Sequence, residues 1–245
     1  TTFALNNFDE EKQKKWLYRK FDFLTEYVDT SAVTGKPILT VSARELLATD
    51  YYRKSRRSEK QWVKGRKQAG VDEFLSKQGM QAAIKDVDIY ENNISLFTNK
   101  FVSPLSRIGT GFYKYYLMDT LQIAGELCAD LAFTPFNSES FGFNGHLYVT
   151  LDSTYFVKRA VFNFPKKINL NFVDYMLLEQ EFKRAEDGTR LLDHESITVE
   201  FKLTEGQDGI FARRVADYSN YTFTPTAEAD KAFTKPERII EETEA

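Results

Sequence analysis

Between Phe101 and Lys166 the chain runs FVSPLSRIGTGFYKYYLMDTLQIAGELCADLAFTPFNSESFGFNGHLYVTLDSTYFVKRAVFNFPK, short aromatic and β-branched words punctuated by Gly, Pro, Asn and Ser. Such residues suit a pleated surface, and the breakers stand where a strand must turn. Alternation is the sharper signal, because a strand sends successive side chains to opposite faces. Ile197, Val199, Phe201 and Leu203 alternate with Ser196, Thr198, Glu200 and Lys202. Leu147, Val149 and Leu151 alternate with His146, Tyr148 and Thr150, and Ile123, Leu127, Leu131 and Phe133 oppose Glu126 and Asp130. The run Tyr155–Phe164 is apolar on both parities, and Phe172–Phe182 is mixed, with Glu179 and Glu181 on one face. Turns at Asp152-Ser153, Pro165-Lys166-Lys167 and Asp187-Gly188 are short, which predicts antiparallel neighbours in a meander. Lys158 and Arg159 charge both faces of one strand. In a membrane-spanning barrel the lipid-facing one would cost about 2–4 kcal/mol near the midplane, which argues against such a barrel here.

Upstream the spacing changes. From Asp9 to Asp29, Trp16, Leu17, Phe21, Leu24, Tyr27 and Val28 recur every three or four residues, opposite Lys12, Lys14, Lys15 and Arg19. This predicts an amphipathic helix, capped near Asn7 and ended before Lys36-Pro37. Ile38–Val41 suits a short strand, and Val71–Asn92 returns to helical spacing interrupted by Gly79, which predicts two short helices. The expected fold is α+β: a curved, mostly antiparallel, half-barrel-like sheet packed against the N-terminal helix and short helices. It forms one domain over residues 1–223, helical at about 7–92 and sheet at about 94–223. An extended, charged tail follows at 224–245.

The net charge of −3 is too small to demand a polyanionic partner, and no nucleic-acid-binding pattern is spelled out. Cys128 stands alone, so an internal disulfide is impossible. No apolar run approaches the ~18 residues of a membrane helix. Thr1-Thr2-Phe3, without an initiator Met, is expected to be a cut inside a longer precursor. The strongest local charge feature is YYRKSRRSEKQWVKGRKQ at Tyr51–Gln68. Two readings compete: a solvated loop, or an anion-binding patch of Arg53, Lys54, Arg56, Arg57, Lys60 and Lys64 for head groups or an acidic partner.

Catalytic patterns are thin. His194-Glu195 opens like a zinc-protease helix, but Thr198 stands where the second His belongs, and His146 is the only other imidazole. No metal or cofactor is expected. Gly109-Thr110-Gly111 lacks the Lys of a phosphate loop, and there is no G-x-S-x-G elbow. Glu179 with Glu181, and Asp193 with Glu195 around His194, are spaced for carboxylate pairs, although solvated faces explain them as well. Phe156, Phe162, Phe164 and Phe172 are either core or, on an open sheet, the lining of an apolar groove.

Several words also carry a resemblance: Asp29–Pro37 (DTSAVTGKP), Phe101–Leu105 (FVSPL), Tyr115–Thr120 (YYLMDT), Phe133–Pro135 (FTP), Phe141–Val149 (FGFNGHLYV) and Asn169–Val173 (NLNFV). From about Asn6 to Tyr221 the chain resembles uncharacterised outer-membrane proteins of Bacteroidetes. These carry an N-terminal carboxypeptidase-regulatory-like domain and a C-terminal β-barrel. The resemblance implies an exported segment at the periplasmic face of the outer membrane, with barrel and regulatory-like domain as partners in cis. It implies no catalytic residues. The order of helix and meander is more loosely similar to the lipoprotein-carrier half-barrel, which implies a lipid or lipoprotein ligand by analogy of fold. The expected function is non-enzymatic binding of a hydrophobic ligand or a partner in outer-membrane biogenesis or transport. The alternatives are a structural spacer and an unrecognised hydrolase.

Overall fold

Strand alternation governs far more of the chain than the upstream spacing suggests. The computed structural model describes residues 1–6, 28–31, 35–53, 58–70, 86–165, 168, 170, 173–201 and 209–241. Four strands precede the predicted meander: β1 (Thr2–Asn6), β2 (Val28–Thr30), β3 (Pro37–Arg53) and β4 (Ser58–Gly70). A small hairpin, β5 (Asn93–Leu96) and β6 (Asn99–Val102), leads through a single helical turn, α1 (Gly109–Phe112), into the meander. That meander is β7 (Tyr113–Ile123), β8 (Glu126–Pro135), β9 (Asn144–Thr150), β10 (Val157–Asn163), β11 (Val173–Arg184), β12 (Arg190–Phe201) and β13 (Ile210–Asp217). The chain then forms α2 (Ala227–Thr234) and β14 (Ile239–Glu241).

The α+β expectation is corrected to a mostly β fold, a 12-stranded sheet ordered β14-β4-β3-β1-β13-β12-β11-β10-β9-β8-β7, with β2 beside β3. Among the described residues α1 and α2 are the only helices. The predicted helix at 9–29 falls on residues outside those described, except that Val28–Thr30 is strand. Of the helical spacing at 71–92, residues 71–85 also lie outside them, and the remainder is not helical. The short strand at Ile38–Val41 is part of a 17-residue one, whose end holds Tyr51–Arg53 of the basic stretch, and Ser58–Gln68 of that stretch lie on its hairpin partner β4 rather than in a loop. Local spacing misleads here because pairing partners distant in sequence decide the outcome. The tail is corrected too. Thr226 Oγ1 caps α2 by accepting from the Ala229 amide at 3.1 Å, Glu228 and Asp230 occupy the first turn, and β14 pairs parallel with β4.

β1 is the keystone of the topology, antiparallel to β3 on one side and to β13 on the other, so it joins hairpin and meander into one sheet. One face of that sheet buries Phe3, Leu147, Phe162, Met176, Leu178, Ile197 and Val199 against Ile89, Ile94, Leu96 and Phe101 from the β5–β6 region. Gly145 shows how tightly this face is filled. A Cβ there would stand 1.9 Å from the Val161 carbonyl oxygen and 2.9 Å from the Phe133 ring. The opposite face of the meander is charged. One row of the register runs Asp130, Tyr148, Arg159, Glu181, His194, Asp217 across six strands.

Candidate functional site

Of the predicted groove residues, Phe162 is core and Phe156 and Phe164 pack against it. Phe162 is fully buried, packed edge-on against Phe133 (5.1 Å between centroids) and tilted against Phe143 (5.3 Å). Phe164 stacks on Phe101 at 4.9 Å. Phe156 lies under the Arg184 guanidinium, 4.7 Å from its ring centre, and Phe172 is outside the described residues. The β5–β6 hairpin therefore occupies the apolar face that an acyl chain would need. Two tyrosines lock its neighbourhood. The Tyr115 hydroxyl donates to the Pro104 carbonyl at 2.7 Å, and the Tyr113 hydroxyl donates to Val102 O while accepting from the Phe143 amide at 3.1 Å. Burial pushes the Tyr115 phenol up to about 12 and raises that of Tyr113 further.

Four cations of the basic stretch, Arg53, Lys60, Lys64 and Arg66, have partners within the chain. Arg53 pairs with Asp230 at 3.1 Å and lies over the Phe233 ring at 4.2 Å. Lys60 Nζ donates to the carbonyls of Lys235 (2.5 Å) and Glu237 (2.6 Å). Lys64 meets Glu228, and Arg66 meets Glu241 at 2.6 Å. Trp62 packs with Ala232 and Ile240 in the middle of these contacts. Lys54, Arg56 and Arg57 lie outside the described residues. Of the predicted patch, Arg53, Lys60 and Lys64 are thus engaged by the chain's own C-terminal segment.

The carboxylate pairs do not form a cleft. Glu179 and Glu181 flank Arg159 on the charged face, at 2.9 and 3.7 Å. Asp193 pairs with Lys183 at 2.5 Å and His194 with Asp217 at 2.7 Å. Glu195 faces the other way and is buried. It meets Arg214 and accepts from Gln180 Nε2 at 2.5 Å, while Arg214 also reaches Asp86 at 2.7 Å. Burial raises the Glu195 carboxyl, opposed by Arg214 and by the Gln180 bond. No group of three or more His, Cys, Asp and Glu converges among the described residues as metal ligands would. Among those residues, too, no helix is long and apolar enough to cross a membrane.

What sequence reasoning missed is the end of the sheet. β7 is its terminal strand, and Tyr116, Leu117, Met118 and Leu121 are exposed along it, Leu117 at 67%. Leu127 on β8 continues the patch. The β9–β10 turn brings Leu151, whose amide donates to the Leu127 carbonyl at 2.9 Å. Ala124 (φ 48°) and Gly125 (φ 82°) turn the β7–β8 hairpin tightly, as a type I′ turn requires of both central residues. The signal was the unbroken run Tyr115-Tyr116-Leu117-Met118. On a strand such a run is either buried on both faces or exposed for a purpose.

A large sheet, nearly all of it antiparallel, with one packed apolar face and an opposite face that is charged along one row but buried at Ala4, Ile38, Ser196, Thr198, Glu200 and Phe211, places this chain among all-β domains. The chain belongs to a family of unknown function, DUF5686, whose model matches residues 8–221. No curated protein and no solved structure matches it.

Proposed function

We propose that this chain is a non-enzymatic interaction domain at the periplasmic face of the outer membrane. On this reading its β7 edge receives an extended segment of a partner polypeptide during envelope biogenesis or transport. The observation that carries the reading is the edge itself: an 11-residue strand with apolar side chains exposed and, among the described residues, no strand on its outer side. Unpaired edge groups of this kind template pairing with another chain, and folded proteins normally blunt them. Strand addition draws affinity from main-chain bonds and selectivity from side chains on each face, here Tyr116 and Leu121 on one and Leu117 on the other. The bulge between Leu117 and Asp119 limits how far a partner could run in register. The seating of Phe162 and Phe164 in the core favours a polypeptide over an acyl chain, and the resemblance to exported outer-membrane proteins supports the compartment.

Photo-crosslinking in cells producing the intact protein tests this. A crosslinker at Leu117 or Met118 should capture a discrete polypeptide, and one at Ile239, on the opposite edge, should not. Equal capture at both positions, or capture of lipid at Leu117, would remove the reading.

A further inference from the structure

β7 carries two charges that its own sheet does not answer. Lys114 and Asp119 are both exposed. The register with β8 sets Lys114 opposite Thr134, Tyr116 opposite Ala132 and Asp119 opposite Asp130, so all three side chains lie on the charged face. Asp130 is engaged by the His146 imidazole at 2.6 Å, and like charges directly opposite one another destabilise a strand pair. Among the described residues neither Lys114 nor Asp119 forms an ion pair. Lys114 Nζ lies 5.4 Å from the centre of the Phe136 ring, and Asp119 Oδ1 accepts from the Thr120 amide at 2.7 Å.

The placing of these charges has a symmetry. Met118 is the extra residue of the bulge, since the register passes from Leu117 opposite Leu131 directly to Asp119 opposite Asp130. A bulge sets two residues of one strand against one of its partner, so Leu117 and Met118 share one ladder position. Lys114 and Asp119 therefore stand two ladder positions on either side of Tyr116. A strand laid antiparallel against a twofold copy of itself matches positions equally far from the axis. With the axis at Tyr116, Lys114 of each strand meets Asp119 of the other on the same face. Tyr115 of each then meets the Leu117–Met118 position of the other. An axis at Lys114 or at Asp119 sets like charges against each other. An axis one position either side of Tyr116 leaves each charge opposite an uncharged residue.

We propose that β7 pairs antiparallel with β7 of a second copy of this chain, about a twofold axis at Tyr116, joining two sheets edge to edge. The pairing rests on the reading of β7 as an edge that takes up polypeptide, and it specifies which polypeptide. Charge on an edge strand ordinarily guards against such association. Here the two charges are opposite in sign and equidistant from Tyr116, so they favour one register over its neighbours. Asp119 gains the cation that its own sheet does not supply, and Leu117 is covered by the Tyr115 ring in both copies. Such an isologous contact closes on itself, so assembly stops at two copies.

Charge reversal with rescue tests it, read by sedimentation equilibrium of the whole chain at low ionic strength. The parent should form a dimer. Lys114→Asp alone, or Asp119→Lys alone, turns both cross-copy pairs repulsive and should raise the dissociation constant roughly tenfold. The double variant Lys114→Asp/Asp119→Lys should return to within about twofold of the parent, as should an equimolar mixture of the two single variants. A parent that stays monomeric, or a double variant as weak as the single ones, overturns the proposal. In cells, a photo-crosslinker at Tyr116 should give a product of twice the mass of the intact protein. A product of any other mass would overturn the second copy and leave the role of β7 standing, whereas no product at all would remove both.

Discussion

Two long hairpins extend the sheet on opposite sides, and only one of them is covered. β3–β4 is rich in cations, yet its outer strand carries a custom-fitted cover: α2 and β14, fixed by Trp62 and by the pairs Arg53–Asp230, Lys64–Glu228 and Arg66–Glu241. β14 is three residues long, parallel and closed by Glu241, so that edge is blunted. β7–β8 is rich in Leu and Tyr, and its edge strand has no cover among the described residues. The contrast inverts what composition suggests. The charged hairpin finds its partner inside the chain, and the apolar one presents its side chains to solvent. Charge thus marks a closed account here, and exposed apolar area marks an open one.

The comparison breaks hardest at Trp62. Trp62→Ala removes the buried centre of the covered end and should destabilise the chain by about 3–5 kcal/mol in urea unfolding. Leu117→Ala, the matched deletion at the bare end, should stay within about 0.5 kcal/mol. Similar losses at both sites would mean that the two ends are equally packed and that the contrast is wrong.

Acid should loosen the covered end before the β9–β10 turn, where hydrogen bonds from Thr154 and Thr150 hold Asp152 far below the usual carboxylate range. The hydrogen bond from Lys64 above all holds the Glu228 carboxyl below its ordinary 4.5. A depressed carboxyl contributes stability above its unfolded value and loses that contribution as pH falls through the folded one. Trp62 emission, followed in a Trp16→Phe background, should therefore shift red on acidification below about 4.5 before the chain unfolds globally. The step should vanish in Glu228→Gln. An identical titration in that variant would locate the acid-sensitive contact elsewhere.

Arg66→Gln gives a smaller effect. Arg66 and Glu241 are both well exposed, so the pair should contribute about 0.2–1 kcal/mol and be screened by salt. Unfolding midpoints of the variant and the parent should converge between low and high ionic strength. A gap that persists in high salt would show that Arg66 acts through packing of its stem.

Much of the meander was legible because each strand declares its own faces. Ile197, Val199 and Phe201 against Ser196, Thr198 and Glu200 need no distant partner to be read as strand. β3–β4 was not legible for the opposite reason. Lys64 and Glu228, or Arg66 and Glu241, lie more than 160 positions apart, and nothing local to Arg53–Arg66 says that its charges will be met. The cap on α2 was present in the sequence as Thr226 followed by Glu228 and Asp230, but composition outweighed it. For Phe162 and Phe164 the residue type was informative and the environment was not. Whether an aromatic face is groove or core depends on what covers it, and the β5–β6 hairpin does so from an earlier part of the chain.

The smallest expected change in stability carries the most information about the bare end. Leu117 and Met118 straddle the bulge of β7 and are exposed, so replacing both with lysine removes no buried contact. Lys114 and Asp119 already place charges on this strand without disturbing its pairing with β8. Leu117→Lys with Met118→Lys should therefore unfold within about 0.5 kcal/mol of the parent. Edge lysines are also the common device against strand-to-strand association, so light scattering at rising concentration should show less self-association in the double variant. The same variant should lose crosslinked partner at a neighbouring position such as Tyr116. Unchanged stability with unchanged association and capture would show that β7, although bare, is not the surface that recognises anything.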